Sequence, residues 1–446
     1  MATQKISKIK PYISIYNNVL SKFNETGPSF LNSAKTAAFE SFCQNGFPFD
    51  RKGNEDWKYT DVNKILEKQY TLIEETTNGT FDYDTLIPTD IPTYNTKNRL
   101  LFVNGEFKPE LSNISNDSVV IDSLKKGLEE YPSIIAPYLE DQPANKDSFI
   151  NFNTSFFQDG VFIYAPPKTT VTNPIQIINI EYQTDSPKNI LISPRILVIL
   201  EPESTIEIEE YCFGSNPSSN LINSVSKYIL CESSKLHYSR MQDFSESTNN
   251  INNTEVILNK YSTFNSFYLD LGGNIVRNNL NIELIGEESS ANMLGLYLPN
   301  NKQHVDNQII VDHKSPYTYS DQTYKGILNG SSKSVFHGSI IVRENSVKVN
   351  ASQEDKNLLL SDQSEAYTKP AFWIYCDDIM CKHGAACGQI DKESLFYLTS
   401  RGISGKEAKQ LLVRGFAADI FNKLKTTTNN KVYIEEQVSK RLDSWL

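Results

Sequence analysis

Ile196-Leu197-Val198-Ile199-Leu200 and Thr205-Ile206-Glu207-Ile208 are two short β-rich runs separated by Glu201-Pro202-Glu203-Ser204. The paired starts at 196 and 205 return at 226 and 235, at 254 and 263, and at 281 and 291, a period of roughly thirty residues. Further runs, among them Val161–Tyr164, Ile175–Ile180, Gln308–Val311 and Val335–Val342, carry the pattern from about 150 to 375, with turn residues between them and no helix-length periodicity. Many short strands at regular spacing indicate a sandwich, a barrel or a β-helix. A run this long without a Greek-key-like Cys or Trp pattern favours stacked coils, although spacing alone leaves a double-layered sheet open. A stacked β body has two ends that caps or partners must cover.

The flanks are different. In the first segment Ile9, Ile13, Tyr16, Leu20 and Phe23 fall at spacings of three or four and predict one apolar helical stripe. Gly27-Pro28 breaks it, and a second helix is expected from Ser29 to Gln44, ended by Gly46 and Pro48. Glu55-Asp56-Trp57-Lys58-Tyr59-Thr60 reads as a linker whose aromatics plug a domain junction. Leu100–Phe107 reads as strand, Asn-Gly turn, strand. Helix returns after Asp391, a fitting N-cap, and Ser404-Gly405-Lys406-Glu407 fits a capping box. The expected division is 1–110, a helical region with linker strands; 111–150, a connecting segment; 151–390, the β body; and 391–446, a C-terminal helical domain.

The 446 residues carry a net charge of −11 and no long basic block, which argues against nucleic-acid binding through a positive patch. No stretch reaches the roughly 18 apolar residues of a membrane span, and the N-terminus lacks the apolar core of a secretory signal. Six cysteines over this length do not form a secreted disulfide framework. The expectation is a cytoplasmic protein with reduced thiols. Walker A, G-x-S-x-G and H-E-x-x-H patterns do not occur, so the chain is expected to be non-catalytic and not to hydrolyse ATP itself.

The densest chemistry lies between Leu358 and Ile403. Cys376, Cys381 and Cys387 fall there with His383. On a strand, residues two apart share a face, so Cys381 and His383 can present thiolate and imidazole to one ligand. They are half of a tetrahedral set. Cys376 and Cys387 would complete Cys-x4-Cys-x-His-x3-Cys, which is not a common zinc spacing, and each also reads as a small buried apolar side chain. Asp377-Asp378 reads as a turn and not as a catalytic pair, because adjacent strand residues face opposite ways. His304, followed by Asp306, and His313 read as hydrogen-bonding groups along the coils. His337 reads as a strand residue.

The ordered series Asn357-Leu358-Leu359-Leu360-Ser361, Thr368-Lys369-Pro370, Ile374-Tyr375, Asp377-Asp378, Cys381-x-His383-Gly384-Ala385, Gly388, Leu395-Phe396-Tyr397-Leu398 and Ser400-Arg401-Gly402-Ile403 resembles the SufD family, scaffold subunits of the SUF iron–sulfur cluster assembly machine. Gly46-Phe47-Pro48, Arg51 and Glu55–Thr60 are similar to that family's N-terminal signature. Cys376 and Cys387 depart from the family pattern. The resemblance implies a right-handed parallel β-helix between helical N- and C-terminal regions. It implies pairing with a SufB-like paralogue through a β-helix end, with Cys381 and His383 at that interface holding a nascent iron–sulfur cluster, and no cluster firmly bound by this chain alone. It further implies docking of a SufC-like ATPase on the C-terminal helices, at Leu395, Phe396, Tyr397, Leu398, Leu411, Leu412 and Phe416; a helical cap over the β-helix end is the plainer reading of the same residues. A free-standing β-helix carbohydrate-active enzyme and a homodimeric structural protein are the alternatives.

Overall fold

The computed structural model describes residues 2–26, 28–49, 54–72, 87–92, 98–115, 118–139, 147–182, 189–214 and 219–445. Gly27, Arg51 and the side chain of Phe23, all read above, lie outside the described residues.

Successive strands alternate between two sheets, and within each sheet they stack in parallel. One sheet, ten-stranded among the described residues where the other is eleven-stranded, runs through Arg195–Leu200, Leu221–Leu230, Asn249–Leu258, Ile275–Leu284, His304–His313 and Lys333–Val342 to Glu365–Ile374. The other runs through Thr205–Gly214, Lys235–Asp243, Thr263–Asp270, Ser290–Tyr297, Tyr319–Leu328 and Val349–Leu359 to Ile379–Gln389. The result is a parallel β-solenoid flattened into two facing sheets, so the stacked-coil and two-layer readings describe the same body.

Each strand alternates inward and outward, and the register keeps like with like. Val198, Tyr228, Val256, Ile282, Val311 and Ile340 are successive partners in one inward column that ends on Phe372. All but the last are buried between the sheets. A one-residue slip would turn every such column outward, which is what fixes the pairing.

The corners have a chemical signature as well. Glu203, Ser233, Tyr261, Glu288, Tyr317 and Asn345 all have φ near +60°, and each is followed by Ser or Thr. The hydroxyls of Ser204, Ser234, Ser262 and Ser289 donate to the carbonyl three residues back at 2.6–2.7 Å. The left-handed residues donate their own amides to the next coil, Ser233 to the Lys260 carbonyl at 2.8 Å and Tyr261 to that of Glu287 at 3.0 Å. These bonds offset the cost of a non-glycine residue in that conformation.

Helices cover the outer faces. Ala2–Thr26, Ser29–Asn45 and Ser148–Phe156 lie on the ten-stranded sheet and bring Tyr16, Phe39, Phe42, Phe152 and Phe156 into one aromatic cluster with Phe47 and Trp57. The first helix buries Ile9, Tyr12, Tyr16 and Val19, while Ile13 is exposed. The stripe predicted through Ile13 and Leu20 is therefore rotated by one position: the tyrosines supply more buried area than the isoleucine.

Gly405–Phe421 and Thr428–Asp443 press Val413, Ala417, Ile420, Ile434, Val438 and Leu442 onto Met241, Phe267, Leu269, Leu294 and Leu296 of the eleven-stranded sheet. The C-terminal helices thus cover a flat side of the solenoid and not its end, which corrects the end-cap reading. The expected caps are present: Asp391 accepts from the Ser394 amide, and Ser404 with Glu407 closes a capping box.

Candidate functional site at the open end of the solenoid

The last coil consists of Glu365–Ile374, a turn through Asp377 and Asp378, and Ile379–Gln389. Both strands are the final members of their sheets, so among the described residues each is hydrogen-bonded to a neighbouring strand on one side only. Pro370 sits within the first of them, a position a sheet tolerates at its edge. Trp373, Tyr375 and Met380 are 56%, 55% and 68% exposed there. Asp378 is held in the turn by Lys348, 2.9 Å away, so the paired aspartates are a corner and not a catalytic pair.

Cys381 and His383 occupy the same face of the last strand, as their spacing predicts. Cys381 stacks in register on Ala351 and packs against the small apolar cluster of Ile340, Val342, Val349 and Ala351. Burial pushes its thiol pKa up. His383 lies in register beyond Gln353, and its ring stacks on Phe372 of the opposite sheet with centroids 4.5 Å apart and planes 19° from parallel. The stack orients the imidazole at the mouth of the coil, and no hydrogen bond engages it among the described residues. A thiol and a free imidazole on one face can hold a soft or borderline metal from one side. Among the described residues no three His, Cys, Asp or Glu side chains come together as a metal site. A closed site with Cys376 and Cys387 is not formed: Cys376 packs on the apolar cluster, and Cys387 is exposed opposite Asn357.

Three of the other histidines are hydrogen-bonded within the fold. His304 Nε2 is 2.8 Å from the Thr60 hydroxyl, and burial lowers its pKa to about 4. His313 is enclosed between Thr318 and Ser320 at 2.7 and 2.9 Å, and its pKa is likewise lowered to about 4 by burial. Both imidazoles are neutral and committed to hydroxyl partners within the fold. His337 bonds Gln308 at 2.9 Å on the outer face of its strand.

The Glu55–Thr60 segment is a junction, and its reach was not visible in sequence. Trp57 is buried, stacked on Phe149 at 5.2 Å, with the Arg277 guanidinium 3.9 Å from its ring centroid. Arg277 in turn pairs with Asp306 at 2.5 Å, and Asp306 also accepts from Thr60. Beyond this anchor, Tyr59 stacks on Tyr367 at 4.5 Å and Glu55 pairs with Lys369 at 3.0 Å. The segment therefore braces the outer face of an edge strand at the open end. The only sequence signal was that Tyr367 and Lys369, two apart on a strand, share a face.

A second exposed surface lies on the C-terminal helices. Lys392–Ser400 buries no side chain, and Phe396, Tyr397 and Leu411 are 74%, 58% and 53% exposed. Leu395, Leu398, Leu412 and Phe416 are half-buried beside them. Phe416 lies under the Lys325 ammonium, 4.7 Å from its ring centroid. No helix among the described residues is long and apolar enough to cross a membrane.

The fold is a parallel β-solenoid with helical flanks, ending in an open coil that presents a thiol and an imidazole. The chain belongs to the SufBD family: the SufBD core domain of the SUF iron–sulfur cluster assembly system matches residues 182–416, and the SufBD N-terminal region matches 6–177. An iron–sulfur cluster assembly SufBD family protein of Synechocystis sp. is 27% identical over 388 residues, covering 84% of this chain and 83% of that protein. The iron–sulfur cluster assembly protein SufD of Escherichia coli is 24% identical over 387 residues, 86% of this chain and 87% of its own. SufD of Bacillus subtilis is 22% identical over 425 residues, 92% and 94% of the two chains.

Proposed function

We propose that this chain is a SufD-like, non-catalytic scaffold subunit that assembles iron–sulfur clusters together with a SufB-like paralogue and a SufC-like ATPase. The observation that carries the reading is the open coil. Two long edge strands, exposed apolar side chains and a half set of soft ligands occur at one place, and each is completed by the same thing, a second solenoid abutting the first. The partner would continue both sheets and supply the remaining ligands to a nascent cluster at Cys381 and His383. The cluster is cargo, and this chain alone would not hold it firmly.

The ATPase would dock on the exposed helical surface of Phe396, Tyr397 and Leu411, bordered by Leu395, Leu398, Leu412 and Phe416. The opposite side of the helix Gly405–Phe421 is already committed to the sheet. Deleting the whole helical region would uncover Met241, Leu269 and Leu296, so point changes separate docking from folding better than truncation does.

The test is the iron and sulfide content of the co-expressed complex. His383→Ala is expected to leave subunit association intact and to lower cluster loading. Cys381→Ser is expected to have an equal or smaller effect. Normal loading in His383→Ala removes the interface-ligand role, and loss of association would make the residue structural.

A further inference from the structure

On the outer face of the ten-stranded sheet, a cavity of about 260 Å³ opens between the helices Pro132–Leu139 and Ser148–Phe156 and the strands beneath them. Its floor is one register column. Arg195, Val225 and Asn253 are successive partners on three adjacent strands. With rungs about 4.8 Å apart, Arg195 and Asn253 stand roughly 10 Å from each other across a short valine.

Both flanking residues are donors without adequate acceptors. Arg195 is 4% exposed, yet among the described residues it forms no ion pair. Its hydrogen bond is from Nη1 to the Thr154 hydroxyl at 3.1 Å, and Phe157 stands 5.1 Å from the guanidinium. A guanidinium has five N–H donors, and burying it with one side-chain acceptor leaves most of them unmatched, which is costly. Asn253 is 5% exposed. Its Oδ1 accepts from Asn279 at 2.8 Å, while its Nδ2 has no partner among the described residues.

The neighbouring charges have partners of their own, and the Glu255 carboxylate, besides its lysine, attracts Arg195 from the cavity wall. Lys35, also buried, donates to the carbonyls of Phe157 and Thr154 at the end of the helix Ser148–Phe156, where a cation is favoured. Glu255 pairs with Lys227 at 3.0 Å. Asp147 accepts the Phe149 amide at 2.7 Å as a helix cap. What is left over the valine is a cationic fork facing an amide N–H₂, in a space large enough for a small oxyanion.

We infer that Arg195 and Asn253 form a binding site for a small oxyanion of phosphate size, seated over Val225. The ligand's oxygens would accept from the guanidinium as a charge-assisted pair and from Asn253 Nδ2. The site lies on a different face from the open coil and does not depend on the cluster-assembly reading.

The experiment is calorimetric titration of the full chain with inorganic phosphate, with ionic strength held constant by sodium chloride. Saturable binding of one phosphate per chain is expected. Arg195→Gln should weaken it at least about tenfold. Val225→Leu keeps every donor and fills the space between them, so it should weaken binding comparably; it also decides the matter if Arg195→Gln does not fold. Absence of saturable binding, or affinity unchanged in folded Val225→Leu, would overturn the site.

Discussion

The two ends of this solenoid are finished differently. At the first, the ten-stranded sheet is closed by Val120–Ser123, four residues running antiparallel to Gly160–Ala165. The eleven-stranded sheet ends in the two-residue strands Glu106–Phe107 and Asn113–Ile114. The adjoining helices Leu124–Glu130 and Pro132–Leu139 bury Leu124, Leu128, Ile135 and Leu139. Short, antiparallel, covered strands are how proteins blunt sheet edges. At the last end two strands of 10 and 11 residues stand bare with Trp373 and Met380 exposed. A long apolar edge is a pairing surface or an aggregation hazard, and the proposed function takes it as a pairing surface. The difference separates two kinds of residue: those of the closed body should act on stability, and those of the open end on association.

The largest effect is expected in the body. Trp57→Ala removes the ring between Phe149 and Arg277 and leaves Arg277 and Asp306 facing a void. A loss of about 3–5 kcal/mol is expected, read as a fall in the denaturant midpoint, with association of the remaining folded chain unchanged. A loss of association at full stability would instead give the Glu55–Thr60 brace a direct part in the interface.

Next is an acid response. His313 is fully buried, with a pKa of about 4 against an ordinary 6.5. The folded state therefore binds fewer protons than the unfolded chain between those values. Its contribution is complete above pH 6.5 and is lost as pH falls toward 4, by on the order of 3 kcal/mol. Glu181 and Asp355, raised by burial to about 7 and about 6, titrate in the opposite sense over the same range. The measurement is consequently a difference: the stability gap between the native chain and His313→Gln should shift against the native chain as pH falls from 6.5 to 4. A gap constant with pH would mean that His313 is not held neutral.

How much of this could be read from the sequence follows from what each contact depends on. The solenoid was legible because period-two alternation and coil length are local and repeat. The corner rule, a left-handed residue followed by Ser or Thr, was also present in Glu203-Ser204, Ser233-Ser234, Tyr261-Ser262 and Glu288-Ser289. It was hidden because three different residue types, Glu, Ser and Tyr, occupy the first position of these four corners. Cys381 and His383 were legible as a pair because they are two apart on one strand. The Phe372 stack on His383, the Tyr59–Tyr367 stack and the Arg195–Val225–Asn253 column each join different strands or segments, and only the register brings them together. The placement of the C-terminal helices was misread for the same reason: their apolar stripe shows that they pack, not on which face.

At the open end, Trp373→Asp places a charge on the exposed edge. Association with the SufB-like subunit should weaken by at least about 2 kcal/mol, roughly thirtyfold, while thermal stability of the isolated chain changes little. Sedimentation of the mixed subunits measures the first and a melting curve the second. Unchanged association would exclude this edge as the pairing surface.

The smallest effect sets the boundary of the site. Cys387 lies four residues beyond His383 on the same strand, a distance of about 13 Å at the rise of an extended chain. That is too far to share a metal with His383, whose bond to a metal is about 2 Å. Cys376 precedes the last strand and packs against Ile340 and its neighbours as a small apolar side chain. Cys387→Ser and Cys376→Ser should therefore leave the iron and sulfide content of the complex at the native level, in contrast to His383→Ala. A loss in Cys387→Ser as large as that in His383→Ala would extend the site along the edge strand and would require the partner to bring ligands along the whole of it.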